Sequence, residues 1–321
     1  MLKDFFLWFY WYPFRLFVQK IPPKNAYRLA RIYGVILYYL SSRRRNALRQ
    51  EFNTVLGGFI GEKDSSKVLR DSLTVLYQNE IEMMLFSELN AENIGNFVKY
   101  SGMENLDKAL AEGRGVMLLF SHFGANQMIM PAIGYQRYKM SQMSAPATVW
   151  VDLLPDKKFS AMEKRALELR EAQEMSLPVK HINIFGSIKS VFSCLKKNEV
   201  LGIAIDGGAG KDRIAVDFFG VKISLSTGAV RIAMKTGCPV LPTFIVRERD
   251  GKHTLIIEPP LNIQDTGKED AVRSNMLSFI RKLEEYVVKY PSHYLNFLAL
   301  RRFMEPHEQE SEHFFVGKKD S

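Results

Sequence analysis

The sequence predicts an α/β fold, a mainly parallel mixed sheet flanked by helices, behind an N-terminal hydrophobic helical segment. Three observations carry this. Short apolar runs recur, bounded by glycine or polar residues: "GRGVMLLF" (113–120), "VLGIAI" (200–205) and "PVLPTFIV" (239–246). Continuous apolar runs of this length are what strands buried on both faces look like. Stretches with helical periodicity alternate with them, the pattern of βαβ units. The first forty residues are different again, dense in aromatic side chains.

Taken in order, "DFFLWFYWYPFRLFV" (4–18) is almost wholly aromatic or aliphatic, interrupted by Pro13 and Arg15. A helix of about 14 residues rises only ~21 Å, short of a ~30 Å hydrocarbon core. Trp8, Tyr10, Trp11 and Tyr12 are residue types that settle at the headgroup level. A second apolar stretch, "IYGVILYYL" (32–40), is closed by Arg43, Arg44 and Arg45, so residues 1–45 read as a membrane-associating segment. Residues 46–304 then carry the sheet without an internal linker. Ser65 and Ser66 open a helix with Leu69, Leu73 and Leu76 at helical spacing. A charged helix is expected from about Asp156 to Glu174, a strand at "HINIF" (181–185), and a helix through Ile188, Val191, Phe192 and Leu195. "AVDFFGVKIS" reads as extended, Ser226 or Thr227 as the cap of "GAVRIAMKT", and Gly237 with Pro239 as its stop. "HTLIIEP" is a further strand, and Met276, Phe279, Ile280, Leu283 and Val287 mark a long final helix. From Glu305 to Ser321 the chain reads as a polar, frayed tail.

The 321 residues carry 44 Lys and Arg against 35 Asp and Glu, a net charge of +9. That surplus favours an anionic partner: a lipid surface or an acidic carrier protein. With no zinc-finger spacing, RNP-type motif or basic arm, nucleic acid is not expected as a partner. Cys194 and Cys238 make no metal or redox spacing and read as buried small hydrophobes. Neither a cofactor nor a metal is expected.

Ligands of open α/β sheets bind beyond the carboxyl ends of the strands. Two such ends stand out, "LLFSHFGAN" and "GIAIDGGAG", which place His122 and Asp206 just after buried runs. Two strand ends of this kind in one sheet converge on one crevice. Gly124 lets the backbone approach a ligand, and the amides of Gly124, Ala125 and Asn126 would lie at the positive end of a following helix. His181 and His293 lack such surroundings and read as structural.

Four blocks in order resemble the bacterial lipid A biosynthesis acyltransferases, within the wider glycerolipid acyltransferase superfamily. They are "RRRNALRQEFNTVLG", "SGMENLDKALAEGRGVMLLFSHFGANQ", the long run from Ser187 to Pro260, and "YPSHYLNFLALRRFMEP". The resemblance implies a glycerolipid acyltransferase-like fold at the cytoplasmic face of the bacterial inner membrane. It implies acyl transfer from acyl carrier protein or acyl-CoA to a hydroxyl of a membrane lipid acceptor, with His122 as general base. It places Phe218, Phe219 and Gly220, then Ser226, Thr227 and Gly228, beside the acyl and acceptor pockets, and Arg301 and Arg302 in the closing motif. The sequence departs from the family where Gln127 fills the carboxylate position five residues after the histidine. An amide there cannot stabilise the imidazolium by charge; Asp206 and Glu104 are the candidate substitutes. The family's basic residue near a proline is also missing from "QMSAPATVWV", with Arg165 and Arg170 as replacements toward a headgroup. Two other readings stay open: a silent homologue that binds acyl lipid or carrier protein, and a related thioesterase or lipid hydrolase.

Overall fold

A computed structural model describes residues 2–60, 65–154, 157–208, 210–248, 251–265, 269–307 and 313–316. Its main sheet has seven strands. In chain order they are β1 (Val98–Ser101), β2 (Val116–Phe120), β3 (Met140–Ser144), β4 (Lys180–Asn183), β5 (Val200–Ala204), β8 (Val240–Arg247) and β9 (His253–Ile257), arranged β1-β9-β8-β2-β5-β3-β4. β8, β2, β5, β3 and β4 run parallel; β9 turns back antiparallel to β8, and β1 follows β9. The sheet is therefore mixed and mainly parallel, as the alternating pattern predicts.

The central strands show why they are apolar throughout. All five residues of β2 are buried. Met117 and Leu119 join one core layer, and Val116, Leu118 and Phe120 join the other, as alternate side chains of a strand must. The helix Ala161–Met175 starts on a capping box between Ser160 and Glu163; the expected start at Asp156 lies outside the described residues. Both cysteines are free and buried.

"AVDFFGVKIS" is a hairpin of β6 (Arg213–Phe218) and β7 (Val221–Ser226). Its two-residue turn has Phe219 at φ 50° and Gly220 at φ 75°. Positive φ at both positions is the twist that closes a two-residue hairpin. The expectation of a polar, frayed tail needs correction. Phe315–Val316 form β10, a third strand on this small sheet, and Phe314 and Phe315 are buried. Two adjacent aromatics repay ordering of the backbone that carries them; residues 308–312 and 317–321 of the predicted tail lie outside the described residues.

The N-terminal segment forms helices Leu2–Phe9 and Arg15–Lys20 around a π-helical turn Tyr10–Phe14, then helices Pro23–Leu40 and Ser42–Glu51. Among the described residues no helix is long and apolar enough to cross a membrane. The segment lies against the helix Ser65–Leu85 instead. A Cβ on Gly34 would sit 2.8 Å from Thr74 Cα, so glycine is what lets these two helices approach. Val18, Ala26, Tyr27 and Ala30 bury against Ile81, Met84 and Leu85.

Candidate active site

β2 and β5 are neighbours, with Phe120 paired to Ala204. Each chain continues two residues further, and the Ile205 amide still donates to the Phe120 carbonyl at 2.9 Å. His122 and Asp206 thus stand side by side. His122 Nδ1 lies 2.8 Å from Asp206 Oδ1. The His122 backbone N–H donates to the same carboxylate, at 3.1 Å to Oδ1 and 2.9 Å to Oδ2. The Tyr294 hydroxyl adds a donor to Oδ2 at 3.0 Å. Asp206 is 1% exposed, and these donors offset the cost of burying its charge.

A carboxylate only accepts, so the ring proton of neutral His122 sits on Nδ1 and the basic lone pair on Nε2. The His122 side chain is 42% exposed, open to a substrate, while its partner is sealed. Phe297 stacks flat on the imidazole, centroids 4.8 Å apart and planes 2° apart. The arrangement can take a proton at Nε2 and hold the resulting cation against Asp206.

Gln127, at the family's carboxylate position, bonds elsewhere. Its Nε2 donates to Glu174 Oε1 at 3.3 Å, inside a network in which Arg170 meets Glu80 and Glu174 at 3.4 and 3.7 Å. Gln127 is the middle residue of a short 3-10 turn, Asn126–Met128, which leads into helix Ile129–Gly134 with Pro131 in its first turn. Burial raises the Glu174 carboxyl above its usual range, which suits a neutral amide neighbour. Glu104 is also excluded as a partner. It follows β1, which runs opposite to β2, and therefore lies at the other end of the sheet.

The other expected residues separate from the pair. Gly124 has φ 61° and approaches protein: a Cβ would sit 2.1 Å from the Ile245 carbonyl. Its amide donates to the His293 carbonyl at 2.9 Å, which takes it out of the set expected to meet a ligand at the start of a helix. Arg165 bonds Glu168 at 2.9 Å and reaches Tyr12 at 3.4 Å. Phe219 and Gly220 form the hairpin turn, with the Phe219 amide held by Glu284. Thr227 stands at the N-cap of its helix, but its side chain makes no capping bond. Its hydroxyl donates to the Asp212 carbonyl, and Ser226 Oγ receives the Gly228 amide at 3.4 Å. Thr227 lines a cavity of about 520 Å³ with Lys211, Arg213, Arg231 and Arg273. Arg301 is buried over the Phe314 ring, and Arg302 bonds Glu51 at 3.0 Å.

His181 is a structural histidine, between Ser144 Oγ and the Glu174 carbonyl. His293 is one too: its Nε2 accepts the Arg247 amide, and burial with the Arg247 and His253 charges pushes it down to about 3. Sequence reasoning missed Tyr294 and Phe297. Their signal was an i, i+3 aromatic pair just after Pro291.

The fold and the pair define a class: α/β proteins with a histidine and a carboxylate at adjacent carboxyl ends of a mainly parallel sheet. Within that class, a family model for the bacterial lipid A biosynthesis acyltransferases matches residues 1–304. The chain belongs to that family. It is similar to a lipid A biosynthesis acyltransferase of Haemophilus influenzae, 23% identical over 210 residues. The match covers 64% of this chain and 59% of that protein's length.

Proposed function

We propose that the chain is an O-acyltransferase that moves a fatty acyl group from an acyl thioester to a hydroxyl of a membrane glycolipid or related lipid. The single observation that carries this is the His122–Asp206 pair at the ends of neighbouring strands. His122 Nε2 takes the hydroxyl proton as the oxygen attacks the thioester carbonyl. The carbon–sulfur bond then breaks, and the imidazolium returns the proton to the departing thiolate. Asp206 fixes the Nδ1–H tautomer and stabilises the cation, the role that a glutamine could not fill. A buried, donor-satisfied carboxylate beside His122 supports the active reading over a catalytically silent one.

The reading extends to the N-terminus, proposed as a membrane-docking surface at the cytoplasmic face. Phe5, Phe6, Leu16, Phe17, Ile36 and Leu40 are exposed large apolar side chains, and Arg43, Arg44 and Arg45 follow. An apolar patch with a basic margin suits an anionic bilayer interface. The donor is an acyl carrier protein or acyl-CoA, and the excess of positive charge is suited to either.

The test is mass spectrometry of total lipids from cells expressing wild-type or His122→Ala protein. The reading expects a lipid heavier by one fatty acyl unit with wild type only. Identical profiles, with both proteins folded in a host that carries the acceptor, would contradict it.

A further inference from the structure

The turn entering the C-terminal helix Leu295–Met304 touches both members of the pair. Tyr294, fully buried, donates to Asp206 Oδ2. Three residues on, Phe297 lies parallel to the His122 ring. A spacing of three puts both side chains on one face of the turn. Just before them, the His293 carbonyl receives the Gly124 amide, so the same segment grips the backbone of the histidine loop.

We propose that residues 293–297 are a positioning clamp for His122 and Asp206: Tyr294 sets how tightly the carboxylate grips the imidazole, and Phe297 fixes the plane of the ring. The inference rests on His122 acting as a base, but its first test needs no turnover.

The physical reason lies in how one carboxylate is shared. The Tyr294 O–H draws on the charge at Oδ2, leaving less for the imidazolium. Without that donor the charge concentrates on the imidazole side, and the pair holds its proton more strongly. Burial, then the neighbouring Asp206, push the Tyr294 hydroxyl well above its ordinary range, with Arg301 pulling the other way, so it stays a donor at neutral pH. Among the described residues, Tyr294 of the C-terminal segment meets Asp206 at the end of β5, and Arg301 of the same segment acts on Tyr294. His293 turns its ring to the Arg247 amide and stays neutral, so it adds no charge. Phe297 acts differently. It supports one face of a side chain that is 42% exposed and anchored at Nδ1 to Asp206.

The experiment follows the His122 imidazole by NMR titration, its signal assigned by loss in His122→Ala. Removing a hydrogen bond to a charged group in Tyr294→Phe is expected to raise the His122 titration by about one pH unit. The acid limb of the pH–rate profile should move up with it. Phe297→Leu is expected to lower kcat about ten-fold with KM within about two-fold, because orientation is lost and not binding. Phe297→Tyr, which keeps the ring, should restore most of it. An unmoved His122 titration in folded Tyr294→Phe protein overturns the tyrosine's role, and an unchanged kcat in Phe297→Leu overturns the phenylalanine's. If His122→Ala still transfers acyl groups, the proposed base fails instead, and the titration result stands apart from it.

Discussion

At the scale of residues, the account turns on which side chain answers His122. The motif spacing pointed to Gln127, five positions along the chain; the register of two strands supplies Asp206, 84 positions along. The sequence set His122 and Asp206 at converging strand ends and offered Asp206 beside Glu104 as a substitute carboxylate; choosing between those two needed the register, because lateral pairing of non-consecutive strands depends on the whole sheet. Two substitutions on the histidine loop probe this arrangement. Gln127→Glu is not expected to raise turnover. It sets a second carboxyl against Glu174, which burial already disfavours as an anion, and like charges at that distance force one to stay protonated. A lower melting temperature with unimproved kcat is the expected result. Gly124→Ala is expected to be far more damaging. Any side chain there meets the Ile245 carbonyl, and the left-handed backbone disfavours alanine by about 1 kcal/mol before that clash is counted. Thermal melts and kcat, measured together, should both fall.

Elements were more legible than partners. The strands at 116–120, 200–204 and 240–247 fall on the apolar runs that announced them, because burial on both faces leaves a continuous signature. The extended stretch 215–224 was visible, but not its reversal at Phe219 and Gly220. That turn places a phenylalanine at positive φ, a conformation no propensity assigns to it. β10 was hidden for a related reason. Phe315 and Val316 lie in a polar tail, and only the edge of β7 makes them a strand. A further glycine gives a graded test of this hairpin. Gly220 also has positive φ, but an added Cβ would meet nothing within 4 Å. Gly220→Ala should therefore cost only about 1 kcal/mol in denaturant unfolding, the conformational penalty alone, and leave acyl transfer intact.

On the scale of the whole molecule, a buried ion cluster joins the helix Ser65–Leu85 to the sheet. Glu82, on the helix Ser65–Leu85, meets Arg247 at 2.5 Å and His253 at 2.7 Å. Burial alone would raise its carboxyl, but those two charges outweigh it and hold Glu82 at about 2. A carboxyl held below its unfolded value of 4.5 adds stability above that pH and loses it as pH falls toward 2. His293, kept neutral down to about 3 against an ordinary 6.5, loses its contribution as pH falls from 6.5. Urea midpoints should therefore be level near pH 7.5, decline from about 6.5, and fall faster below about 4.5. His293→Gln should flatten the first step. The N-terminal surface gives a second whole-molecule test: Phe5→Ser with Phe17→Ser should weaken binding to anionic vesicles, and Arg43→Ser with Arg44→Ser should reduce its salt dependence. The central claim, that Asp206 and not Gln127 serves His122, has one direct measurement: the rate of acyl transfer by Asp206→Asn beside Gln127→Ala. The account expects Asp206→Asn to lose about a thousand-fold or more, by analogy with the serine-protease triad, and Gln127→Ala to stay within about ten-fold of wild type. The reverse order would contradict it.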